Sequence, residues 1–151
     1  MDSPRSSQLR LGRFSEPNRL YLLTSTTLHR APLLNELQSA RLLVAQLRQA
    51  QDEGAAQSLA WVVMPDHFHW LVELGPVSLK TLMRRVKSRS TLAINRLQGR
   101  SGRLWQKGFH DRALRREENV QAVARCIVLN PKRAGLVERI GDYSHWDAIW
   151  L

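Results

Sequence analysis

The sequence predicts an α+β fold, a small antiparallel sheet carrying helices on one face. Three observations predict it. Apolar runs of strand composition alternate with stretches whose leucines recur at helical spacing. The breaks between them carry turn-forming pairs: Pro65-Asp66, Gly75-Pro76 and Asn130-Pro131. The length of 151 residues suits one domain with a single core.

Residues 1–18, rich in Ser, Pro and Arg, read as a flexible N-terminal arm, and residues 19–151 as the domain. RLYLLTSTT, residues 19–27, has strand composition. In APLLNELQSARLLVAQLRQAQ, Leu33, Leu37, Leu43 and Leu47 stand near helical spacing with charged residues between them, and Gly54 follows the end of that amphipathic helix. SLAWVVM, residues 58–64, predicts a buried strand. Pro65-Asp66 then turns the chain into HFHWLVEL, His67–Leu74, which Gly75-Pro76 ends. Ser78 is a suitable N-cap for the basic helix SLKTLMRRVKSRSTLAINRL. SGRLWQKGFHDRALR leads through a loop into a short strand.

REENVQAVARCIVLN predicts a last helix with acids in its first turn, where the helix dipole favours them. Asn130-Pro131 ends it, because a residue before proline is pushed out of helical geometry. The tail DYSHWDAIWL follows, and its Trp146 and Trp150 read as sealing the core. The order β-α-β-β-α-β-α is that of a ferredoxin-like (RRM-like) sandwich.

Charge narrows the partner. Lys and Arg total 23 against 13 acids, a formal net charge of +10. Only four of those cations are Lys. Arg presents a flat fork of donors that grips phosphate oxygens in pairs, so an Arg-heavy basic domain favours nucleic acid. Between Lys80 and Arg116 stand twelve basic residues and one acid, Asp111. Like charges at helical spacing cost a few tenths of a kcal/mol per pair, roughly, which phosphate would offset. The candidates for DNA contact are Lys80, Arg84, Arg85, Lys87, Arg89, Arg96, Arg100, Arg103, Lys107 and Arg112, with His110 beside them. Trp105 and Phe109 flank Lys107, and both base stacking and core packing suit them. A solvated charged face is the competing reading of the whole run.

One cysteine, Cys126, excludes an intramolecular disulfide and fits a reducing compartment. No apolar stretch has the length of a signal peptide or a membrane span, so the expected location is cytoplasmic and nucleoid-associated, without a membrane partner. Monomer and homodimer both remain open.

The second strand of the hairpin carries the chemistry. One face takes Phe68, Trp70, Val72 and Leu74, all large and apolar, which should pack on helices. The other takes His67, His69, Leu71 and Glu73. The two imidazoles therefore sit side by side, about 7 Å apart at Cα. Such a pair can chelate one divalent ion, or be two ordinary surface histidines. In CIVLNP, Cys126 and Asn130 lie four apart on one helical face. The Asn130 carboxamide oxygen suits Mg²⁺ or Mn²⁺, although a residue ending a helix before proline has a structural reading too.

Taken together, these segments resemble a known family. MPDHFHWLVE resembles the HUH motif (His, hydrophobic residue, His) of single-tyrosine transposases, specifically the REP-associated tyrosine transposases. GRLWQKGFHDRALRREENV and NPKRAGLV…DYSHWDAIWL resemble that branch's downstream blocks, and the likeness spans roughly residues 19–151. The resemblance implies a protein that binds a DNA hairpin and cuts the adjacent single strand. In that family a tyrosine attacks the phosphodiester, forms a 5′-phosphotyrosine and frees a 3′-hydroxyl, and the reverse attack rejoins strands. It further implies a divalent metal, Mg²⁺ or Mn²⁺, held by His67, His69 and, as third ligand, Asn130.

One departure stands out. The family places its tyrosine four residues before the Asn, and here CIVLN has Cys126 at that position. The two tyrosines of the chain, Tyr21 and Tyr143, lie elsewhere. Three readings follow: cleavage is lost and hairpin binding kept, Cys126 attacks in place of tyrosine, or Tyr143 reaches the site from the tail. A lone cysteine is most often buried and inert, and a soft thiolate suits a hard phosphorus centre poorly. Impaired or absent cleavage, with the metal site and DNA binding retained, is the favoured expectation.

Overall fold

Buried and less buried residues alternate along the first strand, β1 (Leu20–Thr26), as a period of two requires. A computed structural model describes residues 15–136, 138, 139, 143 and 145–148. After β1 come α1 (Leu37–Asp52), β2 (Ala56–Met64), β3 (His67–Leu74), α2 (Leu79–Gln98) and β4 (His110–Ala113). They are followed by α3 (Val120–Val128), the single turn α4 (Asn130–Arg133) and β5 (Trp146–Ala148). The strands make one antiparallel sheet ordered β4-β1-β3-β2-β5. The expected ferredoxin-like α+β architecture is present, with a strand from the tail added beside β2.

The first two helices cover one face. α1 turns Ala40, Leu43, Val44, Leu47 and Ala50 inward, and α2 turns in Leu79, Leu82, Met83, Val86 and Ile94. Ser78 caps α2 as expected, its hydroxyl accepting the Thr81 N–H at 3.0 Å, and Gly99 ends the helix at φ 64°. Beneath them lie Leu23, Phe68, Trp70, Val72 and Leu74. Trp70 is fully buried and donates its indole N–H to the Ser58 hydroxyl at 2.8 Å.

The third helix corrects the expectation that all helices share that face. Ala124, Ile127 and Val128 of α3, with Val120 and Val123, pack with Val62, Met64, Leu71, Leu114 and Ala148 on the opposite face. The reason is that β2 is apolar on both sides, with Ala60, Val62 and Met64 opposite Trp61 and Val63, and β3 adds Leu71, so a second layer is needed to cover them.

Several boundaries also move. The first helix starts at Leu37, because Glu36 before it is extended (φ −76°, ψ 140°), which leaves Leu33 outside the helix. α3 starts at Val120, where the Asn119 carboxamide accepts the Ala122 N–H at 3.1 Å, so the acids precede the helix. Glu118 receives the Arg112 guanidinium at 2.9 Å instead. Helical backbone does not stop at Asn130. Leu129 keeps helical angles, and Pro131, which tolerates a first-turn position, opens α4. Residues 15–18, expected in the loose arm, are tied down: the Ser15 hydroxyl accepts the Leu79 N–H, and the Asn18 N–H reaches the Leu74 carbonyl at 2.7 Å. The remainder of the arm and Trp150 lie outside the described residues.

Gly75 marks a close approach where β3 ends. A Cβ there would overlap the Gly54 carbonyl oxygen and stand 2.8 Å from that of Ala55. Gly75→Ala should therefore cost about 1–3 kcal/mol, read as a lower urea denaturation midpoint, and an unchanged midpoint would contradict the tight packing of this turn.

Candidate metal and nucleic-acid site

β3 lies inside the sheet, so its side chains are flanked on both sides by neighbours from β1 and β2. His67 and His69 share the face of Leu71, which is the α3 face, while Phe68 and Trp70 are in the other core. The two imidazole rings meet edge-on with centroids 5.0 Å apart. Across the sheet, His69 pairs with Thr24 and Val62, and His67 with Thr26 and Met64.

Each ring is anchored through one nitrogen. His67 Nδ1 lies 2.7 Å from Asp66 Oδ1, and Asp66 Oδ2 accepts the Arg30 Nε–H at 3.0 Å. His69 Nδ1 shares a 2.8 Å hydrogen bond with the Thr24 hydroxyl. With both Nδ1 atoms engaged, Nε2 of each ring is the atom placed to take a ligand, which is the usual arrangement of metal-binding histidine. Burial, and secondarily the neighbouring His67, push the His69 pKa down to about 4. The ring is thus neutral at physiological pH, as a metal ligand must be. The pair fits a divalent ion. Among the described residues no three of His, Cys, Asp and Glu converge on one metal position, so a third ligand drawn from those residues would be of another kind. His110 faces the same side, opposite Thr24 on β4, but two strand spacings separate it from His69, about 10 Å.

Cys126 is exposed, not buried, and its sulfur accepts a hydrogen bond from Arg133 at 3.3 Å. The inward stripe of α3 runs through Ala124, Ile127 and Val128, which leaves position 126 outside it. Asn130 follows one turn later and is half-buried. Neither tyrosine substitutes for a residue at 126. Tyr21 belongs to the core on the far side of the sheet. The Tyr143 hydroxyl donates to the Val63 carbonyl at 2.6 Å, and burial raises its pKa.

The basic residues divide into two groups. Lys87 donates to the carbonyls of Gln106 and Gly108 at 2.8 and 2.6 Å, and Arg89 pairs with Glu53 at 3.1 Å. Arg100 donates to the Asn95 side chain, and Arg112 to Glu118. These four hold the fold together. Lys80, Arg84, Arg103 and Lys107, and Lys87 with them, line a groove of about 1370 Å³ between α2 and the segment 102–109, with the buried Met83 and Leu104 beneath it, the exposed Leu92 at its side and no carboxylate among its lining residues. Arg85 and Arg96 sit elsewhere on α2. Trp105 corrects the stacking reading. It is 3% exposed, packs edge-on against Phe68 and donates its N–H to Ser90, so it has no open face for a base. Phe109 is likewise buried in the core.

Residues 18–127 match the family described as transposase, IS200-like. The chain belongs to that family. The REP-associated tyrosine transposase of Escherichia coli (strain K12) is 28% identical over 86 residues, covering 56% of this chain and 49% of that protein. The chain thus spans about half the length of this curated relative. A REP-associated tyrosine transposase solved bound to a REP hairpin has the same fold, with a TM-score of 0.72 at 20% identity over 89% of this chain and 79% of that one. A putative transposase from Deinococcus radiodurans R1 gives 0.55 at 22% identity, over 79% and 95%. The family expected from the HxH motif and the blocks that follow it is borne out. Among the described residues no helix is long and apolar enough to cross a membrane.

Sequence reasoning missed Thr24, Asp66 and Arg30, which orient the two rings. Asp66 could have been noticed, since it adjoins His67. Thr24 and Arg30 are 45 and 36 positions from their partners, and only the sheet brings them there.

The depressed His69 has a consequence for stability. The unfolded chain takes up this proton near pH 6.5 and the folded chain only near 4, so between those values the unfolded state binds more protons and stability falls as pH falls. The loss at low pH is about 3 kcal/mol at most. Metal-free urea denaturation should show the midpoint declining more steeply below about pH 6.5 in the wild type than in His69→Phe, and parallel profiles would contradict it.

Proposed function

We propose that this protein is a transposase-like binder of hairpin DNA with an adjacent single strand, keeping the metal-binding pair of its family while strand cleavage is impaired. The observation that carries the reading is the anchored pair His67 and His69, on the sheet face covered by the helix that bears Cys126. Asn130, one turn beyond Cys126, is assigned as third ligand, supplying a hard carboxamide oxygen. A Mg²⁺ or Mn²⁺ ion held there would neutralise the non-bridging oxygens of the scissile phosphate.

The nucleic acid is assigned to the groove of Lys80, Arg84, Arg103 and Lys107, with Arg85 and Arg96 elsewhere on α2 and His110 on the histidine face as separate further contacts. The groove's lack of carboxylates favours a polyanion. Its apolar floor favours unpaired bases over the closed outer surface of a duplex. The relative solved with a REP hairpin supports a hairpin ligand. Where the family carries tyrosine, Cys126 offers a thiol. A sulfur nucleophile forms a weak, labile bond to phosphorus, so the energy that a phosphotyrosine conserves for religation is not stored. Arg133, donating to that sulfur, is placed to contact a phosphate beside it.

Two measurements test the reading. With Mn²⁺ and a labelled hairpin oligonucleotide carrying a single-stranded flank, the native protein should give no covalent adduct on a denaturing gel, and Cys126→Tyr should gain one. Abundant adduct from the native protein would overturn the impaired-cleavage reading. Hairpin affinity should also fall steeply with salt, and Arg84→Ala or Lys107→Ala should each lower the log–log slope by about one. Affinity indifferent to salt would remove the groove from the nucleic-acid surface.

A further inference from the structure

We propose that Arg30 and Asp66 form a positioning pair that presets His67, and not His69, in the tautomer ready to bind a metal ion through Nε2. The inference deepens the metal-site reading above and rests on it for its purpose, though not for its test.

The chemistry differs between the two anchors. An ionised carboxylate accepts hydrogen bonds and donates none, so the ring nitrogen 2.7 Å from Asp66 Oδ1 must carry the proton. A neutral imidazole has one such proton, and His67 Nε2 is then a bare lone pair. The Thr24 hydroxyl both donates and accepts. His69 Nδ1 can therefore stand in either role across its 2.8 Å bond, and its Nε2 is bare in only one of them. One ligand is preorganised and the other adapts.

Arg30 holds the carboxylate in place. Its Nε–H occupies Asp66 Oδ2 at 3.0 Å, which leaves Oδ1 to His67. It reaches that position through an uncommon backbone. His29 and Arg30 both lie in the left-handed region, at φ 56° and 53°, which side chains with a Cβ adopt at a cost. Thr27 clamps this turn to the next one: its hydroxyl shares its one proton between the carbonyls of Ala31 and Asp66, at 2.7 and 3.1 Å, and its N–H donates to that of Asp66 at 2.8 Å. The Arg30 side chain is 62% exposed, and an ion pair so open to solvent contributes little to stability. A strained turn maintained for a weak pair is explained by the orientation it imposes on Asp66.

The test reads tautomers in the metal-free protein by long-range ¹⁵N–¹H correlation at about pH 8. His67 should be Nδ1–H in the wild type and in Asp66→Asn, whose carboxamide oxygen still accepts. Asp66→Ala should shift it toward a mixture, and Arg30→Gln should do so to a smaller extent. Mn²⁺ titration should then weaken about 10- to 100-fold in Asp66→Ala and stay near wild type in Asp66→Asn. Should Asp66→Ala fail to fold, the wild-type spectrum and Arg30→Gln decide. An Nε2–H tautomer at His67 in the wild type, or a His67 spectrum unmoved by the loss of Asp66 or Arg30, would overturn the proposal. If the wild type takes up no Mn²⁺ yet the tautomers follow as stated, the metal reading fails and the positioning pair stands.

Discussion

The period-two alternation of β3 is the constraint on which the site depends. Phe68, Trp70, Val72 and Leu74 are buried against α1 and α2, and that burial fixes which way His67 and His69 point. A slip of one residue would drive two imidazoles into an apolar core and carry a tryptophan and a phenylalanine out of it. Burying each of those rings is worth a few kcal/mol, roughly, so the register is held firmly. The geometry of the histidine pair is thus a by-product of core packing.

Electrostatics is organised by what each cation can reach. Glu53 and Glu118 each take an arginine, and both carboxylates are held below their ordinary pKa by those guanidinium groups. Lys87 binds two backbone carbonyls and so closes the segment that leads into β4. The groove along α2 meets no such acid. A chain with +10 formal charge can fold because some of its cations are consumed in structure while others are gathered where a polyanion would offset their repulsion.

α3 joins the two halves of the functional surface. Its apolar stripe seals the sheet face that bears the histidines, and the same helix carries the thiol and leads into Asn130. In the reading proposed above, the fold is kept at this position while the chemistry of one side chain changes. A phenol and a thiol differ little in what they require of the helix and greatly in what they do to phosphorus.

The element order as far as α3, the Ser78 cap, the hairpin turn at Pro65-Asp66 and the two faces of β3 were determined by the sequence alone, because each follows from residues adjacent in the chain and from the periods of helix and strand. The HxH spacing belongs to the same class, and so the histidine pair was legible. Only the tertiary structure decided that α3 covers the second face, that Trp105 is core, which arginines bind carboxylates, and that Thr24 and Arg30 orient the rings. Those outcomes depend on cross-strand register and helix docking, which bring together residues dozens of positions apart and leave no periodic trace in the chain.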